Sequence, residues 1–488
     1  MKNSYIFTSW FMFLGYWLLI ASLTIKILIN KKTRNSTIIW LLIIYTIPLI
    51  GILIWLLFDE PYVEQTRIKL IHKIWNQNNQ WIKKIKNYKY ILKNTNSKVA
   101  SPLFQLCKNR QGLYGITNNK LQLLTNSQNI IDILIKDIHL AKKNIEMVFY
   151  IWTPGGLADE VAKALISSAK RGISCRLMLD SAGSIKFFRS KWVHIMRHAG
   201  IHIVEALKIN LFKTFFRRID LRQHRKIILI DNYITYTGSM NLVDPILFKK
   251  SSRIGQWIDL MTRIEGPIAT TIGVVYSCDW ELETGKKILP AIPKVHDYPI
   301  YKKKCNNNLI QVIASGPGFP EHMIHQSFLI AIYSAQKQLI ITTPYLVPSD
   351  DVLHAICTAS QRGVEVIIIV PKYNDSLLVQ WASRAFFSEL LESGVKIYQF
   401  EKGLLHSKSM LVDKQLSLIG TANLDMRSLW LNFEITLVID DKNFGDNLAS
   451  IQYEYINHSK LLDPQSWFVR SYWRRILEKF FYFLSPLL

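Results

Sequence analysis

Two apolar runs open the chain. Residues 5–25 carry no charged side chain and are rich in Phe, Leu, Ile and Trp, and residues 37–58 form a second such run. Each holds roughly 20 residues, enough to cross a hydrocarbon core of about 30 Å as a helix. Lys31, Lys32 and Arg34 lie between them. A cleaved signal peptide would have a shorter apolar region and a small-residue cleavage site, and no second span would follow it. Residues 1–60 therefore read as a two-span transmembrane hairpin that leaves both of its ends on one side. Residues 61–117 turn polar, with many Lys and Asn, and read as a basic linker. Within it, residues 70–85 fit either a basic helix lying along a membrane or a solvated connection.

From about residue 118 the period changes. Residues 141–150 read as a helix end followed by a strand, residues 158–171 as an amphipathic helix closed by Gly172, and residues 173–179 as a buried strand ending in Asp180. A further helix through residues 192–198 is closed by Gly200. The second half repeats the order. Residues 335–345 match 141–151, Arg362-Gly363-Val364 echoes Arg171-Gly172-Ile173, and Gly394-Val395-Lys396-Ile397 echoes Gly200-Ile201-His202-Ile203. Strands alternating with helices predict two tandem α/β sandwich domains, 118–300 and 301–488. A duplication of this kind places equivalent residues about a pseudo-two-fold axis, with one cleft shared between the halves.

The repeat carries chemistry. Gln223-His224-Arg225-Lys226 runs through four apolar residues to Asp231, and Gly238-Ser239-x-Asn241 follows. The second copy is His406-Ser407-Lys408, with Asp413 and Gly420-Thr421-x-Asn423 at identical offsets. One His-x-Lys arises readily as a core histidine beside a lysine, whereas two long copies with the same internal spacing do not. Residues 225–230 read as a strand, Asp231-Asn232 as a turn, and residues 233–237 as the returning strand. Side chains at i and i+2 share a strand face, so His224 and Lys226 point together and Asp231 has the opposite parity. The same holds for His406 and Lys408 against Asp413. By parity both aspartates support the turn.

An imidazole working as base or nucleophile needs a carboxylate to fix its tautomer. The nearest downstream carboxylates of matching context are Asp259, in Gly255-Gln256-Trp257-Ile258-Asp259, and Glu434, in Asn432-Phe433-Glu434. Within each copy these pair Asp259 with His224 and Glu434 with His406. Two lysines, the amides of Asn241 and Asn423 and the hydroxyls of Ser239 and Thr421 would then surround a tetrahedral anion as phosphate-binding groups. One neutral imidazole can attack phosphorus and the other, protonated, can donate to the leaving oxygen. The lysines neutralise the phosphoryl oxygens, so this chemistry calls for no metal and no cofactor.

The charge balance agrees with an anionic substrate. Lys plus Arg number 60 against 36 Asp plus Glu, a formal net charge of +24, which favours nucleic acid or anionic lipid as partner. Five cysteines, Cys107, Cys175, Cys278, Cys305 and Cys357, show no Cys-x-x-Cys spacing. An odd count without that spacing excludes a full disulfide framework and fits a reducing compartment. Residues 467–488 mix Trp, Phe and Tyr with Arg470, Arg474, Arg475 and Lys479. They fit an amphipathic helix on an anionic membrane surface or a terminal helix packed on the second domain.

The doubled His-x-Lys-x4-Asp with Gly-Ser/Thr-x-Asn resembles the phospholipase D superfamily. Asp180-Ser181-Ala182-Gly183-Ser184, Ser315-Gly316-Pro317, Thr343-Pro344-Tyr345-Leu346-Val347-Pro348, Gly420–Ser428 and the terminal Ser485-Pro486-Leu487-Leu488 extend that resemblance, over essentially the whole chain, to the bacterial cardiolipin synthase family. Thr421 in place of Ser239 keeps the hydroxyl. The resemblance implies a catalytic set of His224, Lys226, Asp231, His406, Lys408 and Asp413, with His224 as nucleophile and His406 as acid and then base. It also implies transfer of a phosphatidyl group from one phosphatidylglycerol to another through a phosphohistidine. That enzyme would sit as a multi-pass protein of the bacterial inner membrane; the cysteine usage puts its catalytic part on the cytoplasmic side, and the two spans argue against nucleic acid as partner. The residues alone leave three rivals: a membrane-bound phospholipase D that uses water as acceptor, a nuclease of the same chemistry, and a non-enzymatic membrane scaffold.

Overall fold

Strands whose alternate side chains enter two different apolar layers recur through residues 120–461. In the computed structural model, which describes residues 2–29, 34–58, 62–85, 95, 97–208, 221–248, 255–290 and 308–483, β1 (Lys120–Leu124), β2 (Asn144–Phe149), β3 (Ser174–Asp180), β4 (His202–Ala206), β5 (Ile227–Ile230), β6 (Ile234–Gly238), β7 (Trp257–Ile258) and β8 (Met261–Glu265) belong to the first half. The second half holds β9 (Leu309–Ser315), β10 (Gln338–Thr342), β11 (Leu346–Val347), β12 (Glu365–Pro371), β13 (Lys396–Phe400), β14 (Leu404–Leu405), β15 (Ser409–Val412), β16 (Leu416–Gly420), β17 (Leu424–Asp425), β18 (Glu434–Asp440) and β19 (Ser459–Leu461).

Two mixed sheets result. The first has the order β1-β8-β6-β5-β2-β3-β4, the second β19-β13-β12-β10-β15-β16-β18-β9. Read backwards, the second reproduces the first strand for strand and adds β19. In each, three neighbouring strands are parallel (β2, β3, β4; β10, β12, β13) and the motif strand runs antiparallel to the first of them. Both faces of the central strands are covered, so β5, β12 and β15 read as near-continuous apolar runs.

The burial pattern shows the layers. Val148, Met178, Ile227 and Leu229 of the first sheet join Ile340, Ile367, Ile369, Leu411 and Ile419 of the second in one central core, together with the helices Ile268–Thr284 and Lys442–Asn457. Their sequence neighbours Ile145, Met147, Phe149, Leu177, Ile228 and Ile230 face outward onto the helices Ser127–Leu140, Leu157–Lys170 and Lys191–His198. Leu339, Ile341, Val366, Ile368, Met410 and Val412 do the same on the second sheet, against Met323–Ser334, Asp350–Gln361 and Leu377–Glu392. This is the period-two pattern of a strand with an apolar layer on each side.

The helices expected at 158–171 and 192–198 occur as Leu157–Lys170 and Lys191–His198. Gly172 and Gly200 after them hold φ of 87° and 91°, a left-handed conformation that suits a residue without Cβ at a helix end. Asp231-Asn232 and Asp413-Lys414 also have positive φ at both positions, 51–54°, which makes each a tight hairpin turn whose twist matches its strands.

The described residues divide into two units, one within residues 1–67 and one within residues 68–488. In the first unit the helix Lys2–Ile29 is followed by Arg34–Thr46 and Pro48–Phe58. The second apolar run is thus two helices of 13 and 11 residues rather than one. Proline at 48 removes a donor and bends the path. Ile47 and Gly51 still donate to Ile43 and Ile47, and a Cβ at Gly51 would lie 2.8 Å from the Ile43 carbonyl oxygen. Ile20, Leu23, Ile27, Ile44 and Trp55 pack together, with the Lys26 ammonium 4.7 Å from the centre of the Trp55 ring. Over the residues whose side chains are described, no helix is long and apolar enough to cross a membrane.

The expected basic linker corrects to folded structure. Ile71, Ile74 and Trp75 of the helix Tyr62–Ile85 enter the central core. A Cβ at Gly318 would lie 2.5 Å from Cβ of Ile71. Leu103, Phe104 and Cys107 of the helix Ser101–Gln111 enter the outer core of the second half. Lys and Asn are frequent in this stretch, yet Ile71, Ile74 and Trp75 fall at helical spacing on the buried side of their helix. Cys107, Cys175, Cys278 and Cys357 are free and buried. Cys305, the loop residues Lys31 and Lys32 and the terminal Ser485–Leu488 lie outside the described residues.

Candidate active site

His224 and His406 are brought together by two equivalent crossings between the halves. Before β5, Gln223 forms a parallel bridge with Phe433, and His224 N–H donates to Phe433 O at 3.0 Å. Before β15, β14 pairs in parallel with β7, and His406 N–H donates to Ile258 O at 2.8 Å. The residue after each accepting carbonyl is a buried carboxylate, Glu434 and Asp259. The backbone register therefore puts the carboxylate of each half beside the histidine of the other. Nδ1 of His224 lies 2.8 and 2.9 Å from the two Glu434 oxygens. Nδ1 of His406 lies 2.7 Å from Oδ1 of Asp259.

Both carboxylates nominated from spacing are histidine partners, but the assignment within each copy is reversed. Asp259 serves His406 and Glu434 serves His224, because the strands that carry them pair across the halves. Nδ1 is occupied in each ring, so Nε2 of each is the nitrogen left for chemistry.

Asp231 and Asp413, counted with the motif, do not reach the histidines. The Asp231 carboxylate accepts from the backbone N–H groups of Lys142, Lys143 and Asn144 at 2.7–3.0 Å. Asp413 accepts from Gln336, Lys337 and Gln338 at 2.8–2.9 Å. Each locks the motif hairpin to the start of the neighbouring parallel strand, the supporting place that parity gives them.

Ser239 and Thr421 turn their hydroxyls to the carboxylates. The Ser239 hydroxyl donates to Asp259 Oδ1 at 2.6 Å and accepts from Leu260 N–H. The Thr421 hydroxyl donates to Glu434 and accepts from Ile435 N–H. They hold the carboxylates that hold the imidazoles. Asn241 and Asn423 do line the cavity; Asn241 also accepts from Ile151 N–H through its side-chain oxygen, and Asn423 donates to Asp425.

Lys226 and Lys408 are buried beside the rings, their ammonium groups donating to the carbonyl oxygens of His224 (2.8 Å) and His406 (2.6 Å). Burial lowers Lys226 to about 8, and burial together with the charge of Lys226 lowers Lys408 to about 7. Burial also brings both imidazoles down to about 4; the lysine charges push the same way, and the partner carboxylates oppose it. Burial would raise Asp259 and Glu434, but the histidines and lysines outweigh it and keep both carboxyls below their usual range.

A cavity of about 480 Å³ opens over both rings. Several of its residues were not singled out from the sequence. Tyr150 sits edge-on to His224 at 5.1 Å between ring centres, and Trp257 lies over His406 at 4.4 Å. Tyr345 donates its hydroxyl to Asp375 at 2.7 Å. Arg222 precedes the first motif and Arg427 follows Asn423-Leu424-Asp425. These six are outside the doubled pattern because the two halves differ where they occur: Leu404 stands at the position of Arg222 and Asn432 at that of Trp257. The signal that could have found Tyr150 is its place at the end of β2, two residues before the bridge of Trp152 to Leu242.

Known proteins fit this geometry. Residues 134–247 and 328–455 match a family model described as cardiolipin synthase, phospholipase-D-like domain, and the matches contain both motifs. The chain is 67% identical over 480 residues to cardiolipin synthase A of Buchnera aphidicola subsp. Schizaphis graminum, covering 98% of each chain. It is 59% identical over 488 residues to cardiolipin synthase A of Yersinia pseudotuberculosis, covering 100% of each. Among solved structures, phosphatidylserine synthase of Haemophilus influenzae superimposes with a TM-score of 0.57 at 16% identity, over 80% of this chain and 100% of that one, which speaks for the fold. The chain belongs to the bacterial cardiolipin synthase family of the phospholipase D superfamily.

Proposed function

We propose that this protein makes cardiolipin by moving a phosphatidyl group from one phosphatidylglycerol to the glycerol hydroxyl of another, with release of glycerol. The observation that carries the reading is the pair of crossed histidine–carboxylate contacts under one cavity, each with a buried lysine alongside. His224 is assigned as nucleophile. Its Nε2 attacks phosphorus, the bond to the glycerol oxygen breaks, and His406 delivers a proton to that oxygen. In the second step His406 takes the proton of the acceptor hydroxyl, the new P–O bond forms and the P–N bond breaks. Glu434 stabilises the imidazolium character that develops on His224, as a triad carboxylate does. Lys226 and Lys408, when protonated, supply positive charge for the phosphoryl oxygens. A phosphodiester anion in the cavity offsets the repulsion of the lysines and raises the imidazoles toward the protonation that the acid step needs.

A lipid substrate is supported outside the motifs. Leu377 and Leu378 are exposed at the start of a helix whose flanking Ser376 and Val379 line the cavity. The helix Tyr472–Phe483 packs Phe481 and Tyr482 against Trp381 and Phe386, while Tyr472, Trp473 and Phe480 on its other side are 72%, 74% and 59% exposed. One face of the helix is thus packed on the second half, and the other is proposed to meet a membrane surface. Exposed aromatics beside Arg474, Arg475 and Lys479 suit an anionic bilayer surface. The N-terminal apolar runs are proposed to anchor the protein in the bacterial inner membrane, with the catalytic region on the cytoplasmic side. The boundaries 1–60, 118–300 and 301–488 are proposed for the anchor and the two catalytic halves.

The test is expression in a bacterial strain that lacks cardiolipin, alongside His224→Ala and His406→Ala, with labelled phosphatidylglycerol as substrate. Wild type is expected to yield cardiolipin and glycerol, and neither variant any product. Phosphatidic acid without cardiolipin from wild type would replace this reading with a hydrolase; activity in either variant would overturn the shared site.

A further inference from the structure

We infer that Arg222 and Arg427 form a second phosphate subsite, which holds the phosphodiester of the acceptor lipid while its glycerol hydroxyl attacks. The inference rests on the transferase reading above. In that reaction two phosphate groups occupy the site together, one bonded to histidine as a phosphoramidate and one carried as an unchanged phosphodiester by the acceptor, and a single glycerol separates them in the product. The lysine–histidine centre accounts for only one of them.

The cavity is polarised in a way the duplication does not explain. Arg222 and Arg427 both line it and are half-buried. Both place positive charge near the Tyr150 phenol, which also hydrogen-bonds with Arg222 and packs edge-on against His224. Asp375, by contrast, lines the same cavity and acts on Lys408 of the other motif. The arginines come from unrelated places in the two halves. Arg222 is fixed by the crossing itself, its carbonyl accepting from Phe433 N–H at 3.0 Å. Arg427 sits in the short helix Met426–Trp430, whose start is capped by the Asp425 carboxylate on Ser428 N–H at 2.7 Å. Neither is a motif residue, and the positions equivalent by the repeat hold Leu404 and Pro245. Planar guanidinium groups presented to a cavity are suited to bidentate contact with a phosphodiester. Lys226 and Lys408, whose ammonium groups lie beside the two histidines, are left to the reacting phosphate.

The subsite predicts a split between acceptors. Arg222→Gln and Arg427→Gln are assayed in the full-length protein with phosphatidylglycerol as donor, first alone and then with a small uncharged alcohol in excess. Cardiolipin formation is expected to lose at least tenfold in apparent affinity for the acceptor lipid. Phosphohistidine formation and phosphatidyl transfer to the uncharged alcohol stay within twofold of wild type, which also reports that the fold is intact. Arg222→Lys and Arg427→Lys recover part of the lipid-acceptor reaction. Equal loss with both acceptors, or loss of phosphohistidine, would place the arginines on the donor; unchanged cardiolipin formation would remove them from the site. Failure of wild type itself to form cardiolipin would sink the transferase reading and the subsite with it.

Discussion

Glu434 lies 2.8 Å from Nδ1 of His224 although 210 residues separate the two in the chain. The contact is written into the backbone, since His224 N–H donates to the carbonyl of Phe433, the residue before Glu434. His406 and Asp259 repeat the arrangement through Ile258.

Removing either carboxylate should disable one imidazole while leaving its ring in place. Glu434→Gln and Asp259→Asn are expected to lower kcat by about 10³–10⁴-fold, the loss typical when a triad carboxylate becomes an amide. The crossed pairing is checked by NMR of labelled histidine: the Nδ1 proton of His224 should move in Glu434→Gln and stay in Asp259→Asn. The opposite response would restore pairing within each copy.

Ser239 and Thr421 act on the carboxylates, so their loss should appear in turnover rather than in substrate affinity. A hydrogen bond to a charged group contributes about 1.5–3 kcal/mol, or roughly 10–100-fold in rate. Ser239→Ala and Thr421→Val are expected to reduce kcat within that range with KM little changed. A rise in KM at constant kcat would return the hydroxyls to the phosphate.

Asp231→Asn and Asp413→Asn keep a side chain that tolerates positive φ but weaken three backbone contacts each. Stability should fall by about 1–3 kcal/mol, read from thermal unfolding, with kcat of the folded protein near wild type. A hundredfold loss of kcat with unchanged stability would put these aspartates into the chemistry.

The buried lysines should set an alkaline limit. A lysine is cationic below its pKa, so with Lys408 at about 7 and Lys226 at about 8 the pair is fully charged below pH 7 and loses charge above it. The ratio kcat/KM, which reports the free enzyme, is expected to fall across pH 7–8, and Lys408→Arg should move that fall upward. The effect on stability has the other sense. Unfolded lysine keeps its proton to about 10.5, so the two lysines add stability as pH rises from 7 towards 10.5. The imidazoles at about 4 contribute stability that is present above pH 6.5 and lost as pH falls towards 4. An alkaline limb that ignores Lys408→Arg would contradict the assignment.

Arg225, the residue between His224 and Lys226, is fully buried. It pairs with Asp279 of its own half and donates to Ser315 O at 2.9 Å and Glu434 O at 3.1 Å in the other. Phe319 and Phe433 cover it, with ring centres 4.5 and 5.4 Å away. Arg225→Ala leaves Asp279 buried without its partner and should cost about 3–5 kcal/mol. The loss is checked by denaturant unfolding, and a variant of wild-type stability would show that the interface holds without it.

How far the chain can be read without its structure depends on range. The elements around β2–β4 and β10–β13 were legible because apolar runs, glycine helix ends and turn residues act locally. The motif histidines and lysines were legible because they occur twice. Parity alone moved Asp231 and Asp413 off the histidine face. The crossed partners were not legible: spacing along one copy says nothing about a register formed with a strand some 200 residues away. The contacts of Ser239 and Thr421 with the carboxylates were not legible for a related reason, since a hydroxyl beside an anion site can face the anion or the carboxylate behind it. Arg222, Tyr150 and Trp257 escaped because they break the repeat. The burial of Ile71, Ile74 and Trp75 was hidden by the Lys- and Asn-rich residues around them.

The two backbone crossings also bear on what a half-length chain could do. One copy by itself would carry an imidazole whose carboxylate belongs to somebody else, and only an encounter between two such chains would complete either centre. Joined in one polypeptide, the partner is held at a fixed effective concentration, so assembly of the centre no longer depends on how concentrated the protein is.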